Sequence, residues 1–313
     1  MTQRAKRWVN AAVFVFAVAA LLALIAYFQF FIKGEPVNGS LVSPRDGAVY
    51  AWNDYFISAN NGGDTGYFDF KDRFLNEEPV LETVGETTYY SDPGVEMTIT
   101  NYPSSSGRIL VADVYVADIY RVRGALANDT FARGEKESDL ITAAKNDALF
   151  SITGDNYSER DTGVEMRDGV LYSKAPEGDM CVLNWDGTME IINENGFELG
   201  AVMDKKPYQI FSGGDKLLID GEVPKDINTD YSHRQCAIGY VEKGHYVFVM
   251  TEGSMNNRVL AKNMQALSCK TAYALYGGDV ASVTFKGKRI GFKRTLGRKC
   301  ADIIYISNYQ DVN

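Results

Sequence analysis

The segment "AIGYVEKGHYVFVMTEG", from Ala237 to Gly253, decides the fold class of this chain. It consists of two β-prone runs on either side of Lys243-Gly244, and such a pair suits a two-residue hairpin loop that needs positive φ. The same device returns in four other places, each with Asp-Gly or Lys-Gly between β-prone flanks: "MRDGVLY", "NWDGTMEI", "LLIDGEV" and "TFKGKRI". Repeated hairpins of this kind predict a sheet that is mostly antiparallel.

Two segments interrupt this pattern with helical signals. "NRVLAKNMQALSC" places Leu260, Met264 and Leu267 at positions i, i+4 and i+7, with Asn257 available as an N-cap. "ESDLITAAK" offers Ser138 as a second N-cap. The sequence therefore predicts an α+β fold, with mostly antiparallel sheet and a few packed helices.

The N-terminal segment from Trp8 to Ile32 carries no charge and is long enough to span a bilayer as a helix. More bases precede this segment than follow it, so the N-terminus is expected in the cytoplasm. These bases are Arg4, Lys6 and Arg7 before the segment and Lys33 after it. We therefore expect a signal anchor that crosses the cell membrane once and leaves the C-terminal part outside.

Three regions follow from this topology. Residues 1–33 form a cytoplasmic tip and the transmembrane helix. Residues 34–79 form a stalk or linker and the start of the exported region, since residues 34–60 are rich in Gly, Pro, Ser and Asn and have little periodicity. Residues 80–313 form the exported domain.

The charge balance argues against a nucleic-acid partner. The formal net charge is −9, and residues 1–33 contain bases but no acid, so the exported part is more acidic than the whole chain. Nucleic-acid binding requires clustered Lys and Arg to neutralise phosphates. The expected partners are instead the membrane, through the N-terminal helix, and a glycan discussed below.

The four cysteines (Cys181, Cys236, Cys269 and Cys300) all lie in the exported part. They form no Cys-x-x-Cys pair, and His233 and His245 are twelve residues apart, so the sequence carries no local zinc signature. An oxidising compartment would permit two disulfides among them. Buried free thiols are the alternative, and the sequence does not choose between the two.

Five segments between about Ser91 and Ser307 succeed one another in a recognisable order. They are "ILVADVYVADIYRVRGALA", "DALFSITGDNYSERDTGVEMRDGVLY", "HRQCAIGYVEKGHYVFVMTEG", "MQALSCKTAYALYGGDVASVTFKGK" and "CADIIYIS". This succession resembles the phosphodiester glycosidase family, whose members release a sugar from a sugar-1-phosphodiester. The resemblance implies that residues 80–313 form a phosphodiester-glycosidase-like domain.

Several polar positions depart from the family pattern. Thr153 stands where the family has Asn before Gly-Asp, and Glu252 stands where it has Asp at the end of a hairpin. Tyr276 replaces an Asp before the glycines, and Asp279 replaces the third glycine. The departures fall on positions that face the ligand in the family, whereas strand and helix positions keep their character.

The reaction that the resemblance implies needs a carboxylate as base or nucleophile, with cations or amides to hold the phosphate. The resemblance offers Asp155, Glu252 and Asp279 as catalytic carboxylates. Each also has a simpler interpretation, because acids are common in tight turns and at hairpin ends.

The resemblance also implies a set of substrate-binding residues, with no metal and no cofactor. Arg234 would bind the phosphate through its guanidinium, or would form a structural ion pair. The absence of side chains at Gly277 and Gly278 would let the backbone approach a ligand, or would serve a turn. Thr153 belongs to the same set, and Tyr157 would stack on a sugar or pack in the core.

Two functions of different classes follow. The first is a membrane-anchored hydrolase, outside the cell, that cleaves a sugar from a sugar-1-phosphodiester in a surface polysaccharide or wall polymer. The second is a catalytically eroded relative that binds glycan or acts as an envelope scaffold. The changes at Thr153, Glu252, Tyr276 and Asp279 favour the second function. The retained Gly-Asp, the arginine and the paired glycines favour the first.

Overall fold

The structure is a computed structural model, and it describes residues 68, 70, 73–105, 107–290 and 299–309. Within these ranges no helix is long and apolar enough to cross a bilayer. The predicted signal anchor (1–33) and most of the predicted stalk (34–79) lie outside the described residues. The domain boundaries drawn from the sequence therefore stay predictions.

Strands dominate the described part of the chain. The first nine are β1 (Val80–Val84), β2 (Thr87–Asp92), β3 (Val95–Ser104), β4 (Gly107–Val116), β5 (Val122–Leu126), β6 (Ala148–Thr153), β7 (Gly163–Arg167), β8 (Val170–Ala175) and β9 (Asp179–Asn184). The others are β10 (Met189–Asn193), β11 (Pro207–Gly214), β12 (Lys216–Leu218), β13 (Cys236–Glu242), β14 (His245–Thr251), β15 (Thr271–Leu275), β16 (Val283–Phe285), β17 (Lys288–Ile290) and β18 (Asp302–Ser307).

These strands form three sheets. The first has eight strands in the order β1-β2-β3-β4-β14-β13-β15-β12, the second has the order β10-β9-β11-β7-β8, and the third has the order β17-β16-β6-β18-β5. Every strand pair named here is antiparallel. The prediction of mostly antiparallel sheet is therefore confirmed.

Four of the five hairpins predicted from Asp-Gly and Lys-Gly pairs form where the sequence places them, whereas Asp220-Gly221 is flanked only by an isolated bridge between Ile219 and Glu222. Ala237–Gly253 contains β13 and β14, which pair at the centre of the first sheet, and Gly244 at their turn has φ +77. Asp168-Gly169 joins β7 to β8, and Lys286-Gly287 joins β16 to β17, with positive φ at both residues of each turn. The left-handed conformation that these loops require explains the recurrent glycine.

Within the described ranges, three α-helices accompany the sheets: α1 (Asp139–Lys145), α2 (Leu199–Asp204) and α3 (Asn257–Ala266). The α3 helix buries Leu260 and Met264 as predicted. Its N-cap is Asn256, whose side chain accepts a hydrogen bond from the Val259 N–H at 3.0 Å. The prediction of Asn257 as the cap was therefore wrong by one residue, and Asn257 is the first helical residue.

The four cysteines are buried free thiols. Cys181 and Cys236 belong to the large apolar core on one face of the first sheet, and Cys269 belongs to the core between its other face and α3. Cys300 lies in a separate small cluster of the third sheet. Cys236 and Cys269 cannot meet because the sheet separates them, and burial raises the pKa of both thiols to about 12.

A cluster of charged side chains is buried between the second and third sheets. Arg167 on β7 donates to the carboxylates of Asp155 at 3.0 Å, Asp302 at 2.8 Å and Glu165 at 3.1 Å. Arg160 donates to Glu165 at 2.6 Å. Glu165 and Arg167 lie on β7 of the second sheet. Asp302 begins β18 of the third sheet, and Asp155 lies in the loop after β6 of the same sheet. The cluster therefore joins the second and third sheets.

The charges in this cluster balance through unequal proton affinities. Burial opposes the ionisation of Asp155, but the guanidinium groups of Arg167 and Arg160 outweigh it and lower the pKa of Asp155 from 3.8 to about 2. Burial and the charge of Asp155 raise the pKa of Asp302 to about 6 and raise the pKa of Glu165 well above its usual value. Of these three carboxyl groups, Asp155 therefore holds its negative charge most strongly.

This charge balance predicts unequal losses in the free energy of unfolding for two amide substitutions. Asp155→Asn removes a negative charge from a buried network and should lower the free energy of unfolding by about 3–5 kcal/mol at pH 7. Glu165→Gln removes a charge that burial already disfavours, so it should lower the free energy of unfolding by less, about 1 kcal/mol. Urea denaturation of the two variants and the wild type measures both values.

The same urea denaturation, repeated at several pH values, tests the lowered pKa of Asp155. Because the pKa of Asp155 is lowered in the folded state, its contribution is present above pH 4 and is lost as the pH falls towards 2. The difference in unfolding free energy between wild type and Asp155→Asn should therefore shrink over that interval. A difference that stays constant from pH 4 to pH 2, or equal destabilisation by both variants, contradicts the assignment.

Candidate active site

A cavity of about 940 Å³ opens where the first sheet meets the ends of the second and third sheets. Two Gly-Gly-Asp turns line it, Gly213-Gly214-Asp215 and Gly277-Gly278-Asp279. The first contains the last two residues of β11, and the second follows the end of β15. The remaining lining includes Lys136, Glu159, Tyr231, His233, Tyr276 and Lys299.

The second turn is built around the backbone of Arg234. The Gly278 N–H donates to the carbonyl oxygen of Arg234 at 2.8 Å. A Cβ on Gly277 would lie under 3.0 Å from that oxygen and 2.9 Å from the ring of His233. Gly278 has φ +66 and open space around its Cα. Gly277 is thus required by a close approach of two chain segments, and Gly278 by its conformation.

The first turn repeats this construction. A Cβ on Gly214 would lie under 3.0 Å from the carbonyl oxygen of Ala274, and Gly213 has φ +71. The Ala274 N–H donates to the carbonyl oxygen of Asp215 at 2.9 Å. Each Gly-Gly pair therefore presses its backbone against a neighbouring segment and presents the following aspartate to the same cavity.

Amide side chains hold the carboxylate of Asp215. Asn257 Nδ2 donates to its Oδ2 at 2.8 Å, and Asn228 Nδ2 lies 3.4 and 3.5 Å from its two oxygens. Asn257 is itself fixed by Gln235, whose Nε2 donates to Asn257 Oδ1 at 3.1 Å. The structure thus supplies a half-buried carboxylate in a set orientation.

Arg234 and Asp279 form a charged pair at the second glycine turn. The Arg234 guanidinium lies 4.0 Å from Asp279 Oδ1, and both side chains are partly exposed. The carbonyl of Arg234 anchors the glycine turn, so the guanidinium is tied to the position of the turn. This places a cation with several N–H donors beside Gly277 and Gly278.

Glu159 is a third carboxylate in the cavity, and two side chains engage it. Lys136 forms an ion pair with it, and the Tyr276 hydroxyl donates to its Oε2 at 2.5 Å. Burial opposes ionisation, but the hydrogen bonds from Lys136 and Tyr276 outweigh it and lower the pKa of Glu159. Tyr276, which stands where the family has an aspartate, therefore holds a carboxylate from another loop.

His233 supplies a neutral imidazole at neutral pH. Burial lowers its pKa below the usual 6.5, against the charge of nearby Asp215. The half-buried ring of His233 lines the cavity. Met255 N–H donates to the His233 carbonyl at 2.8 Å, which fixes this segment against the start of α3.

The buried charge cluster lies directly behind the cavity wall. The Arg160 guanidinium occupies the space that a side chain on Gly213 would need. Asp155 accepts a hydrogen bond from the Ser212 N–H at 2.9 Å, next to the same turn. The carbonyl of Gly154 accepts from the Tyr276 N–H at 2.9 Å. The cluster thus positions both glycine turns without reaching the cavity itself.

The structure brings together only part of the residue set predicted from the sequence. Gly277, Gly278 and Asp279 line the cavity. The side chain of Arg234 is not part of that lining, and its guanidinium lies 4.0 Å from Asp279 Oδ1. Asp155 lies behind the cavity with an exposed fraction of 2%. Both of its carboxylate oxygens accept hydrogen bonds within the protein. It is placed to position the turns rather than to touch a ligand.

The other three predicted residues lie elsewhere. Thr153 is buried, and its hydroxyl donates to the carbonyl of Val280 at 2.7 Å, which ties β6 to the end of the glycine turn. Tyr157 is in the core, stacked on Phe131 with its hydroxyl bonded to Thr130. Glu252 does not line the cavity, and its carboxylate accepts from the Arg108 N–H at 3.1 Å.

Sequence reasoning overlooked Asp215, Glu159 and Lys136. The signal for Asp215 was present, because "FSGGD" at 211–215 repeats the Gly-Gly-Asp of "YGGD" at 276–279. Glu159 and Lys136 carry no comparable motif. Among the described residues, no group of three or more His, Cys, Asp and Glu is arranged to hold a metal ion.

Two solved structures have a fold similar to that of this chain. The catalytic domain of zebrafish N-acetylglucosamine-1-phosphodiester alpha-N-acetylglucosaminidase, auto-inhibited by its pro-peptide, matches with a TM-score of 0.57 and 19% identity, covering 76% of this chain and 86% of that chain. A hypothetical protein from Synechocystis matches with a TM-score of 0.54 and 12% identity, covering 73% of this chain and 64% of that chain. At these identities the likeness concerns the fold alone.

The sequence itself matches a family model. The model of the phosphodiester glycosidase family covers residues 139–307, which is more than half of the chain and contains both glycine turns. No curated protein matches the sequence significantly. This chain belongs to the phosphodiester glycosidase family, and the resemblance inferred from its five sequence segments is confirmed.

The two glycines of the second turn should respond differently to alanine. Gly277→Ala places a Cβ against the backbone of Arg234, so we expect a loss of about 2–3 kcal/mol in the free energy of unfolding. Gly278→Ala meets no neighbouring atom and adds only left-handed strain, about 1 kcal/mol. Urea denaturation of the two variants tests the difference, and equal losses would show that the Arg234 contact does not constrain the turn.

Proposed function

We propose that this chain is a membrane-anchored hydrolase that releases a sugar from a sugar-1-phosphodiester in a surface polysaccharide or wall polymer outside the cell. The observation that carries the proposal is the cavity to which two Gly-Gly-Asp turns present Asp215 and Asp279, with the guanidinium of Arg234 4.0 Å from Asp279. Paired carboxylates support the cleavage of glycosidic bonds, and a guanidinium supports phosphate binding.

In the proposed reaction the bond between the anomeric carbon and the phosphate oxygen breaks. A water molecule adds to the anomeric carbon and gives a proton to the Asp215 carboxylate, which its two asparagine neighbours orient. The electron pair of the broken bond stays with the phosphate, so the products are the free sugar and a phosphomonoester. Because that leaving group is weakly basic, the reaction needs little general-acid help.

The cations of the cavity support the phosphate half of the substrate. Arg234 is positioned by the glycine turn, and Lys299 is an exposed cation on the same lining. Lys136 is already paired with Glu159. We therefore assign phosphate binding to Arg234 first, with Asp279 holding its guanidinium in place.

Substitution of Asp215 tests the assignment. Asp215→Asn keeps the size of the side chain and removes the base, so hydrolysis of an N-acetylglucosamine 1-phosphodiester should fall by about 10²–10⁴-fold. The measurement is the release of reducing sugar and phosphomonoester, which should appear in equal amounts. Asp204→Asn is the matched control, because Asp204 is an exposed acid outside the cavity.

The assay also includes Arg234→Ala, which should lower kcat/KM by about 10- to 100-fold through lost phosphate binding. Full activity of Asp215→Asn would contradict the role of Asp215. Wild-type protein that neither hydrolyses nor binds a panel of sugar-1-phosphodiesters would contradict the proposed function.

One observation favours a second candidate function, glycan binding without cleavage. Glu159 is engaged by Lys136 and Tyr276, and the aspartate that the family has at position 276 is absent. A carboxylate held in this way is a poor base, since its charge is already neutralised. Saturable binding of the phosphodiester by wild-type protein without product release would select this alternative.

The location outside the cell rests on the apolar segment from Trp8 to Ile32 and the bases that precede it. We expect the full chain to fractionate with membranes, and a variant lacking residues 1–33 to be soluble. Protease added to intact cells should digest the C-terminal domain of the full chain. Digestion only after lysis would contradict the proposed topology.

A further inference from the structure

A second cavity, of about 630 Å³, lies beside the candidate active site and has no role in the proposed reaction. It is formed by the end of the β3–β4 hairpin, the segment before α3, and one face of α3. Its lining comprises Tyr102, Pro103, Ser104, Ser105, Ile109, Val111, Ser232, Ser254, Met255, Asn256, Val259, Asn263, Ala266 and Leu267. We call it the α3 groove.

The α3 groove and the candidate active site share one wall. In the extended segment 231–233, Tyr231 and His233 line the active-site cavity, and Ser232 lines the α3 groove. Successive side chains of an extended segment point to opposite sides. His233 pairs with Met255 in an isolated β-bridge, which fixes this wall against the start of α3. A chain-like ligand in one cavity therefore needs to pass only this wall to reach the other.

The chemistry of the α3 groove differs from that of its neighbour. The active-site cavity is lined by Lys136, Glu159, Asp215, Asp279 and Lys299. Among the described residues, no Asp, Glu, Lys, Arg or His lines the α3 groove. An uncharged lining does not suit a phosphate or an ionised peptide side chain, because neither would find a countercharge.

The uncharged lining combines apolar surface with neutral hydrogen-bonding groups. Tyr102 is 48% exposed and Val259 is 45% exposed, so an aromatic ring and an aliphatic side chain are both accessible. Serine hydroxyls and asparagine amides surround them. Such a surface suits a neutral sugar ring, which has an apolar face and a rim of hydroxyl groups.

We propose that the α3 groove is a glycan subsite that binds neutral sugar units of the same polymer whose phosphodiester occupies the active-site cavity. This inference rests on the proposed function and adds to it a preference for oligosaccharide substrates over single-sugar phosphodiesters. The active-site cavity holds the charged linkage, and the α3 groove holds the uncharged continuation of the chain.

Two substitutions test the α3 groove from opposite directions. Tyr102→Ala removes the exposed ring, and Ala266→Trp fills the groove from an exposed position of α3. Tyr89→Ala is the matched control, because Tyr89 is 47% exposed on β2 and lies outside the groove. All variants are made in the full chain, solubilised in detergent.

The kinetic comparison uses two substrates, a methyl phosphodiester of one sugar and the same phosphodiester extended by a neutral tetrasaccharide. For the extended substrate, Tyr102→Ala and Ala266→Trp should raise KM about tenfold with kcat unchanged. For the short substrate both KM and kcat should stay at the wild-type value. Equal KM values of the wild type for both substrates would overturn the subsite and leave the proposed function standing.

A binding measurement separates the subsite from catalysis. An array of neutral oligosaccharides of glucose, galactose, mannose and their N-acetylated forms is probed with the wild type and the three variants. We expect binding by the wild type and by Tyr89→Ala, and its loss in Tyr102→Ala and Ala266→Trp. Binding to the array by a protein that hydrolyses neither phosphodiester substrate would reject the proposed function and retain a glycan site. Failure to bind any oligosaccharide, or binding unaffected by both groove variants, would overturn the subsite.

Discussion

The position of every wall of the cavity depends on one electrostatic constraint, the balance of buried charges around Arg167. Arg167 has an exposed fraction of only 3%. A guanidinium so deeply buried is stable only while carboxylates from several elements face it. Those carboxylates include Asp155 and Asp302, so the loop after β6 and the start of β18 are held to β7. Gly154 lacks a side chain because Asp302 fills that space. A network of this kind fixes relative positions more strictly than apolar packing, since each charge tolerates little displacement.

The two glycine turns form the candidate active site on the elements that the buried charges hold together. In each turn one glycine lets two backbones touch and the other adopts positive φ, and an aspartate follows. The close approaches involve Gly214 with Ala274, and Gly277 with Arg234. Because β11 and β15 belong to different sheets, neither turn alone encloses a ligand. The cavity exists where the two constructions meet.

Sequence periodicity was sufficient for most of the fold and for less of the site. Hairpins such as β13–β14 depend on local turn chemistry, which the sequence shows directly. The side chains of Asp155 and Tyr157 could not be placed, because the same motif position suits a ligand contact, a buried ion pair or core packing, and only tertiary contacts decide among them. Asp215 could have been found from its repeated Gly-Gly-Asp, but Glu159 acquires its role from Tyr276, which is 117 residues distant. Such pairings are invisible to local patterns.

The separate burial of the four thiols has a consequence for how the chain can be made. Thiol–disulfide exchange requires a thiolate, and burial raises the pKa of Cys236 and Cys269 to about 12, so few thiolates form in the folded protein. The domain as described reaches its architecture without any oxidative step. Its architecture therefore depends on packing, hydrogen bonds and ion pairs alone, and a reducing agent finds no disulfide in it to break.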